Sequence, residues 1–318
     1  MPLFGGHARD TVLLRLVVSR LLFIIPAGLL LITFLFALFH IIPGDPALLL
    51  AGDNAPAHIV EAIREAYGFN KPLPVQYMTY MLNVLQGDLG VSNFSRDPVV
   101  SLIIPRILNT ALLAFWAMMF AMVVSLSFGC VSAMYWNTGV DKAITVVSLI
   151  GICTPIFVSG LLGIFFFSVK LGVLPTGGFN SWQSLILPVI TLGAVEAALL
   201  TRMVRSTMIN ALNQDYITTA RAKGVAELVV VFKHALRNAL LPIITLFGLG
   251  FGNTLGGSVV IETIFTWPGL GRLMIESILT RDLPVTQGAL LFFAMTFIVV
   301  NLIVDVLYAY VDPRISYD

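Results

Sequence analysis

Side chains able to do chemistry are few and scattered in this chain. His7, His40, His58 and His234 lie far apart and form no HExxH or similar ligand spacing, so no metal site is assigned. No GxSxG segment supplies an activated serine, and the apolar stretches hold no paired carboxylates. The phosphate-cradling pattern GxxxxGK[ST] is absent, so any nucleotide energy must come from another protein. Cys130 and Cys153 both fall in apolar runs, where a cysteine acts as a small hydrophobe rather than as a disulfide or metal ligand. The reading is therefore of a chain with no catalytic residue and no cofactor of its own.

What charge there is falls in places that matter. Glu196 sits in an apolar run, where an unpaired carboxylate is costly and must face either a cavity or a partner. Arg202 and Arg205 follow one to three turns on, so pairing with them stands beside a place on a translocation pathway. Asn253 lies among Gly248, Gly250, Gly252, Gly256 and Gly257, and either lines a pore or bonds to a helix packed closely against those glycines. The densest charge is in residues 215–237, DYITTARAKGVAELVVVFKHALR, with Arg221, Lys223, Lys233 and Arg237 between two long apolar segments. Such a stretch cannot lie in lipid and forms an aqueous loop.

The elements that must carry these residues follow from composition. At 58% apolar, 11% charged and a mean hydropathy of +0.94, the chain is an all-α, multi-pass membrane protein. A net charge of +1 gives nucleic acid nothing to bind. Six spans are expected, near 21–42, 107–136, 143–169, 185–201, 239–261 and 285–310, each long enough to cross the hydrocarbon core. The first is too long for a signal-peptide core and lacks a convincing cleavage site. It should stop at IIPGDP (41–46), since Pro43, Gly44 and Pro46 cannot continue a helix. A helical cap should follow, with an amphipathic helix at 57–68 presenting Ile59, Ile63 and Ala66 on one face, and a second at 75–87 suited to the membrane interface. Asn109 and Thr110 read as capping groups at the start of the second span. This divides the chain into a region 1–105 with the first span and the external segment, and a five-helix core 106–318 with its loop at 202–237.

Six spans put both termini on one side. With the termini cytoplasmic, eleven Lys/Arg lie inside and seven outside, which favours that orientation and places the basic loop in the cytoplasm. The loop has order as well as charge. Asp215 can cap a helix on which Tyr216, Ala220 and Gly224 share a side, and Gly224 can end it in a left-handed turn with Arg221 and Lys223 in the last turn. A second helical stretch, 225–236, leads back to the membrane.

TARAKG (219–224) followed by KHALRNALLP (233–242) resembles the cytoplasmic coupling loop of binding-protein-dependent ABC importer permeases, most of all the peptide and nickel branch. IIPGDP, GDLG (87–90) and ETIFTWPGLGRL (262–273) are similar to that branch and occur in the expected order. Against the general importer pattern, Thr218 stands where Glu is usual, while Ala220 and Gly224 fit, and His234 and Arg237 replace Ile and Pro. A glutamate-based contact is therefore not carried over.

The resemblance implies a type I ABC importer permease fold of six transmembrane helices in a bacterial inner membrane. It implies a second homologous permease, two ATPase subunits that use ATP and Mg, an extracytoplasmic solute-binding protein, and membrane lipid as surroundings. Asp215, Tyr216, Thr219, Ala220, Arg221, Ala222, Lys223 and Gly224 would dock in a cleft of the ATPase. Glu262, Pro268, Gly269 and Gly271 would lie toward the outer gate and the binding protein. The cargo would be di- or oligopeptides or similar small solutes, with Glu196 placed to meet a peptide's ammonium group. A self-sufficient secondary carrier or channel is the alternative. Against it stand the docking loop and the absence of a detectable inverted repeat.

Overall fold

The computed structural model describes residues 6–41, 45–51 and 55–311. Helix α1 (Gly6–Ile41) contains Pro26 and is followed by the short α2 (Pro46–Ala51). Ile42, Pro43 and Gly44 of the expected stop lie outside the described residues. Asp45 accepts the Ala47 N–H at 3.0 Å, capping α2 as aspartate does when a helix start leaves its first donors free. The cap continues with α3 (Ala57–Ala66) and α4 (Leu73–Leu85). On α3 the buried side chain is Val60, while Ile59 and Ala66 are exposed, so the apolar face is turned from the one expected. Arg64 explains the turn, because it bridges Asp45 and Glu61 and draws its own side of the helix inward. The cap is tied to α1 by Thr33 Oγ1 and Tyr77 Oη at 2.8 Å and by His40 Nε2 and Gln76 Oε1 at 3.2 Å.

The core begins with α5 (Val99–Met134), α6 (Gly139–Cys153) and α7 (Ile156–Gly163), the last continued by a π-helical turn, Ile164–Lys170. Then come α8 (Ile186–Leu212), α9 (Asp215–Ala222), α10 (Glu227–Val229), a π-helical turn Val230–Ala235, α11 (Leu236–Ile264), α12 (Leu270–Leu279) and α13 (Leu283–Val311). Five helical stretches are long and apolar enough to cross a membrane: Leu22–Ile41, Val99–Met134, Trp182–Leu212, Pro242–Ile264 and Leu283–Val304. The sixth corresponds to the span expected at 143–169 with Pro155 interrupting it. It is α6 and α7, bent by 100° where they meet. Thr154 is held extended before Pro155, whose ring clashes with a helical predecessor and which has no N–H for the ladder.

Two other boundaries move. The second span begins at Val99 rather than Ile107, so Asn109 and Thr110 lie well inside α5 and do not cap its start. The fourth runs on to Leu212, which places Arg202 and Arg205 on α8 rather than in a loop.

The most extensive pairing joins α5 to α8, where Ala114, Ala117 and Ala121 have no exposed surface. Small residues let the two backbones approach, which is how helices associate where no water drives them together. One end of the bundle carries α9. The other carries the cap, the start of α5, α12 and the start of α13.

Candidate functional site

Helix α9 is attached by one edge. Ile217 and Ala220 are buried in a cluster with Met208 of α8, Val230, Val231 and Ala235, while Asp215, Tyr216, Thr219, Arg221, Ala222 and Lys223 are exposed. The buried stripe is thus Ile217–Ala220 rather than Tyr216–Ala220–Gly224, because that side of the helix meets Met208, Val230, Val231 and Ala235. Asp215 is the first helical residue and not the cap: the preceding residue, Gln214, holds that position without a side-chain hydrogen bond. Asp215 still lies in the first turn, where a carboxylate suits the helix dipole.

The C-terminal end is as expected. Gly224 has φ +75°, its N–H bonds to Arg221 O at 2.9 Å, and Val225 N–H reaches Ala220 O at 3.3 Å. That double closure needs a left-handed residue, which glycine adopts without steric cost. Arg221 then forks onto Glu227, with Nε to Oε2 at 3.1 Å and Nη2 to Oε1 at 2.6 Å. The guanidinium holds the Glu227 carboxyl below its ordinary range, and the carboxylate raises Arg221 in turn. Both side chains are about half exposed, so the pair orients the turn more than it stabilises it. Beyond it, Leu228, Val229 and Phe232 are exposed. The result is a short rigid projection with a polar crest and an apolar shoulder.

Behind it is a brace built by residues far apart in the chain. Asp141, in the first turn of α6, is only 3% exposed. It accepts Arg205 Nε at 2.6 Å and Nη2 at 2.8 Å, Ser132 Oγ at 2.6 Å and the Asn137 N–H at 2.8 Å. One carboxylate thereby joins α5, α6 and α8 next to α9. Removing one partner of a buried pair strands the other, so Arg205→Leu should cost about 3 kcal/mol. The paired Asp141→Leu/Arg205→Leu variant should recover part of that in thermal unfolding of the purified protein. Equal instability of the single and double variants would mean that the ion pair is not the cause.

Glu196 is 8% exposed and lies over α11, its Oε2 3.2 Å from where a Cβ on Gly250 would stand, with Met118 of α5 beside it. The pairing considered for it is not made: Arg205 is bound to Asp141 and Arg202 is exposed. Glu196 makes no hydrogen bond or ion pair among the described residues. Asn253 is exposed one turn beyond Gly250 on the same helix.

Glu262, Gly269 and Gly271 are buried and Pro268 is half-buried, at the end away from α9. Glu262 accepts Thr110 Oγ1 at 2.7 Å and the Arg272 N–H at 3.0 Å, and the Gly271 N–H also bonds to it. Thr110 accepts the Leu270 N–H at 2.8 Å, Asn109 Nδ2 donates to Pro268 O at 2.9 Å, and Trp267 Nε1 donates to Asn109 O at 3.0 Å. The first donors of α12 are therefore satisfied from α5 and α11. A Cβ on Gly269 would stand 2.3 Å from the Glu262 carboxyl carbon, so glycine is required by close approach. Glu262 is thus committed within the fold, while Pro268 keeps part of its surface exposed.

Residues 125–317 match the family described as binding-protein-dependent transport system inner membrane component, and residues 13–114 match the N-terminal part of such membrane components. The chain is 45% identical over 305 residues to the glutathione transport system permease protein GsiC of Escherichia coli strain K12, covering 96% of this chain and 100% of that protein. The protein of the same name from Salmonella choleraesuis strain SC-B67 is similar to the same degree, 45% over 305 residues. Among solved structures, it is similar to the MetNI methionine ABC transporter in inward-facing conformations, with TM-score 0.59, 17% identity, and coverage of 67% of this chain and 97% of that one. It is also similar to an amino acid ABC transporter with histidines, with TM-score 0.52, 20% identity, and coverage of 68% and 95%.

Proposed function

The chain belongs to the inner-membrane components of binding-protein-dependent transport systems, and we propose that it is half of a peptide-importing pore worked through α9 by separate ATPase subunits. It is an ABC importer permease, a multi-pass protein of the inner membrane. A second homologous permease completes the pore, two ATPase subunits sit at the α9 end, and a solute-binding protein meets the cap end. The termini and α9 are then cytoplasmic, as the Lys/Arg distribution favours.

The observation that carries this reading is the construction of α9. Its exposed crest is available to a partner while Ile217 and Ala220 lock it to the cluster beneath α8 and α11. A push on the crest is transmitted to the spans rather than absorbed by a slack loop. ATP and Mg belong to the ATPase subunits, and this chain's part is mechanical. Closure of those subunits draws α9 toward its counterpart, and α8 and α11 carry the displacement to the far end. Ala220 works from beneath, as packing, and not as a contact.

The cargo is a di- or oligopeptide or a glutathione-like peptide, a reading supported by the 45% identity to a glutathione permease. Glu196 then offers a carboxylate to the peptide's ammonium. Uptake by Glu196→Gln, corrected for expression, should fall by about tenfold, equivalent to about 1.4 kcal/mol. Uptake at the wild-type rate would remove Glu196 from the pathway.

The reading as a whole is tested by capturing the tagged chain from its membrane and identifying its partners by mass. One related permease and P-loop ATPases are expected. Tyr216→Glu/Arg221→Glu should lose the ATPases and keep the permease. A chain recovered alone, and still transporting after reconstitution without ATP, would overturn the assignment.

A further inference from the structure

At the end away from α9, a cavity of about 320 Å³ opens between α1, the cap and the start of α13. Its walls are the rings of Phe36, Phe39, Tyr67 and Phe69, with Leu89, Val91, Leu283 and Pro284 completing a mostly apolar lining into which a few polar groups reach. Lys71, Tyr80, Asn83, Asp88 and Gln287 all line it. Among the described residues, the Lys71 ammonium, the Tyr80 hydroxyl and the Asn83 and Gln287 amides make no hydrogen bond, and Asp88 accepts only the Gly90 N–H, at 2.9 Å. Other polar groups nearby are spent on holding the walls. Gln76 donates to Phe69 O at 3.1 Å and Lys71 O at 2.8 Å and faces His40. Asp282 accepts Ser92 Oγ at 2.5 Å and the Asn93 N–H at 3.2 Å, fixing the segment after Asp88 to the start of α13. The Lys71 stem folds over Gly68, within 3.2 Å of where a Cβ there would be, which sets the ammonium at the rim. The site is therefore pre-formed while its recognition groups stay uncommitted.

We propose that this cavity binds a short zwitterionic peptide, with Lys71 toward its carboxylate, Asp88 toward its ammonium, and Asn83 and Gln287 toward its amide bond. The inference rests on the peptide reading above and adds a place on the permease itself. A carboxylate and an ammonium at one rim suit a ligand bearing both opposite charges. Two side-chain amides match a peptide group, since each offers a donor and an acceptor. Burial pushes the Tyr80 phenol up to about 12, so it stays protonated and donates. Rings around an apolar floor take a side chain, and the size lies at the small end of ligand pockets, which suits two or three residues.

The test uses the full complex of both permeases and the ATPases in phosphatidylcholine nanodiscs, without the binding protein. Radiolabelled alanyl-phenylalanine and glutathione are the probes, read by scintillation proximity. Saturable binding of at least one is expected, weakened tenfold or more in Asn83→Leu/Gln287→Leu and in Lys71→Met, with assembly checked by size exclusion. N-acetylation of the probe should weaken it similarly through Asp88. The proposal is overturned if complexes that import a probe with the binding protein present show no binding without it, or bind it equally well in both variants. It is also overturned if native mass spectrometry finds a phospholipid lost in the variants and undisturbed by peptide, which would make this a headgroup site. Import of neither probe by an assembled, ATP-hydrolysing system would instead sink the peptide reading, and this inference with it.

Discussion

Ile217→Asp is expected to lower uptake by more than about tenfold while the two permeases remain paired, about 1.4 kcal/mol being needed for each factor of ten. Ile217 has no exposed surface and holds α9 to the cluster of Met208, Val230, Val231 and Ala235. A carboxylate there must stay in water, because burying it unpaired costs far more than eight helical residues gain by docking. The helix then detaches, and an ATPase seated on it pulls on a tether. Ile217→Val, which costs about 0.5–1.5 kcal/mol, should keep most activity. Gly224 separates conformation from packing. Nothing lies within 4 Å of a Cβ at that position, so a substitution there is felt only through φ +75°. Gly224→Asn should transport nearly as wild type, since asparagine tolerates that region, and Gly224→Val should not. Uptake and the ATPase rate stimulated by loaded binding protein are the measurements. Full coupling in Ile217→Asp would end the view of α9 as a lever.

The second large effect is on stability, at the opposite end. Glu262→Ala should cost at least about 3 kcal/mol, because it leaves Thr110 Oγ1 and the N–H groups of Gly271 and Arg272 buried without an acceptor. A cavity is added where the carboxylate was. Glu262→Gln should be intermediate: the volume is kept, but an NH2 group now faces donors. Heating in detergent, followed by size exclusion, should show Glu262→Ala lost more than about 5 °C below wild type. Survival to the wild-type temperature would mean that α12 does not depend on its external cap.

Much of this architecture was legible from the chain alone, and the reason is the solvent. A membrane demands long apolar helices, so the positions of the spans follow from composition, and so does the place of the one loop too charged to enter lipid. Local backbone chemistry was legible as well. Gly224 ends α9 in the left-handed turn expected of it, and Pro155 breaks a span that the apolar run alone would have left straight.

What the sequence could not disclose is pairing across distance. Asp141 and Arg205 are 64 positions apart, and Thr110 and Glu262 are 152 apart. Each has an ordinary local explanation, as a turn residue, a topology charge or a capping group, and only packing brings them together. The same holds for which face of a helix is buried. Val60 rather than Ile59, and Ile217 rather than Tyr216, turn inward because neighbours such as Arg64 and Met208 decide the rotation. Hydropathy, charge and glycine act over a few residues and are written along the chain, so the sequence by itself determined that this is a multi-span membrane protein with an ordered basic projection. The brace behind α9, the cap on α12 and the cavity under the outer helices depend on side chains meeting from distant segments, and only the tertiary structure decided them.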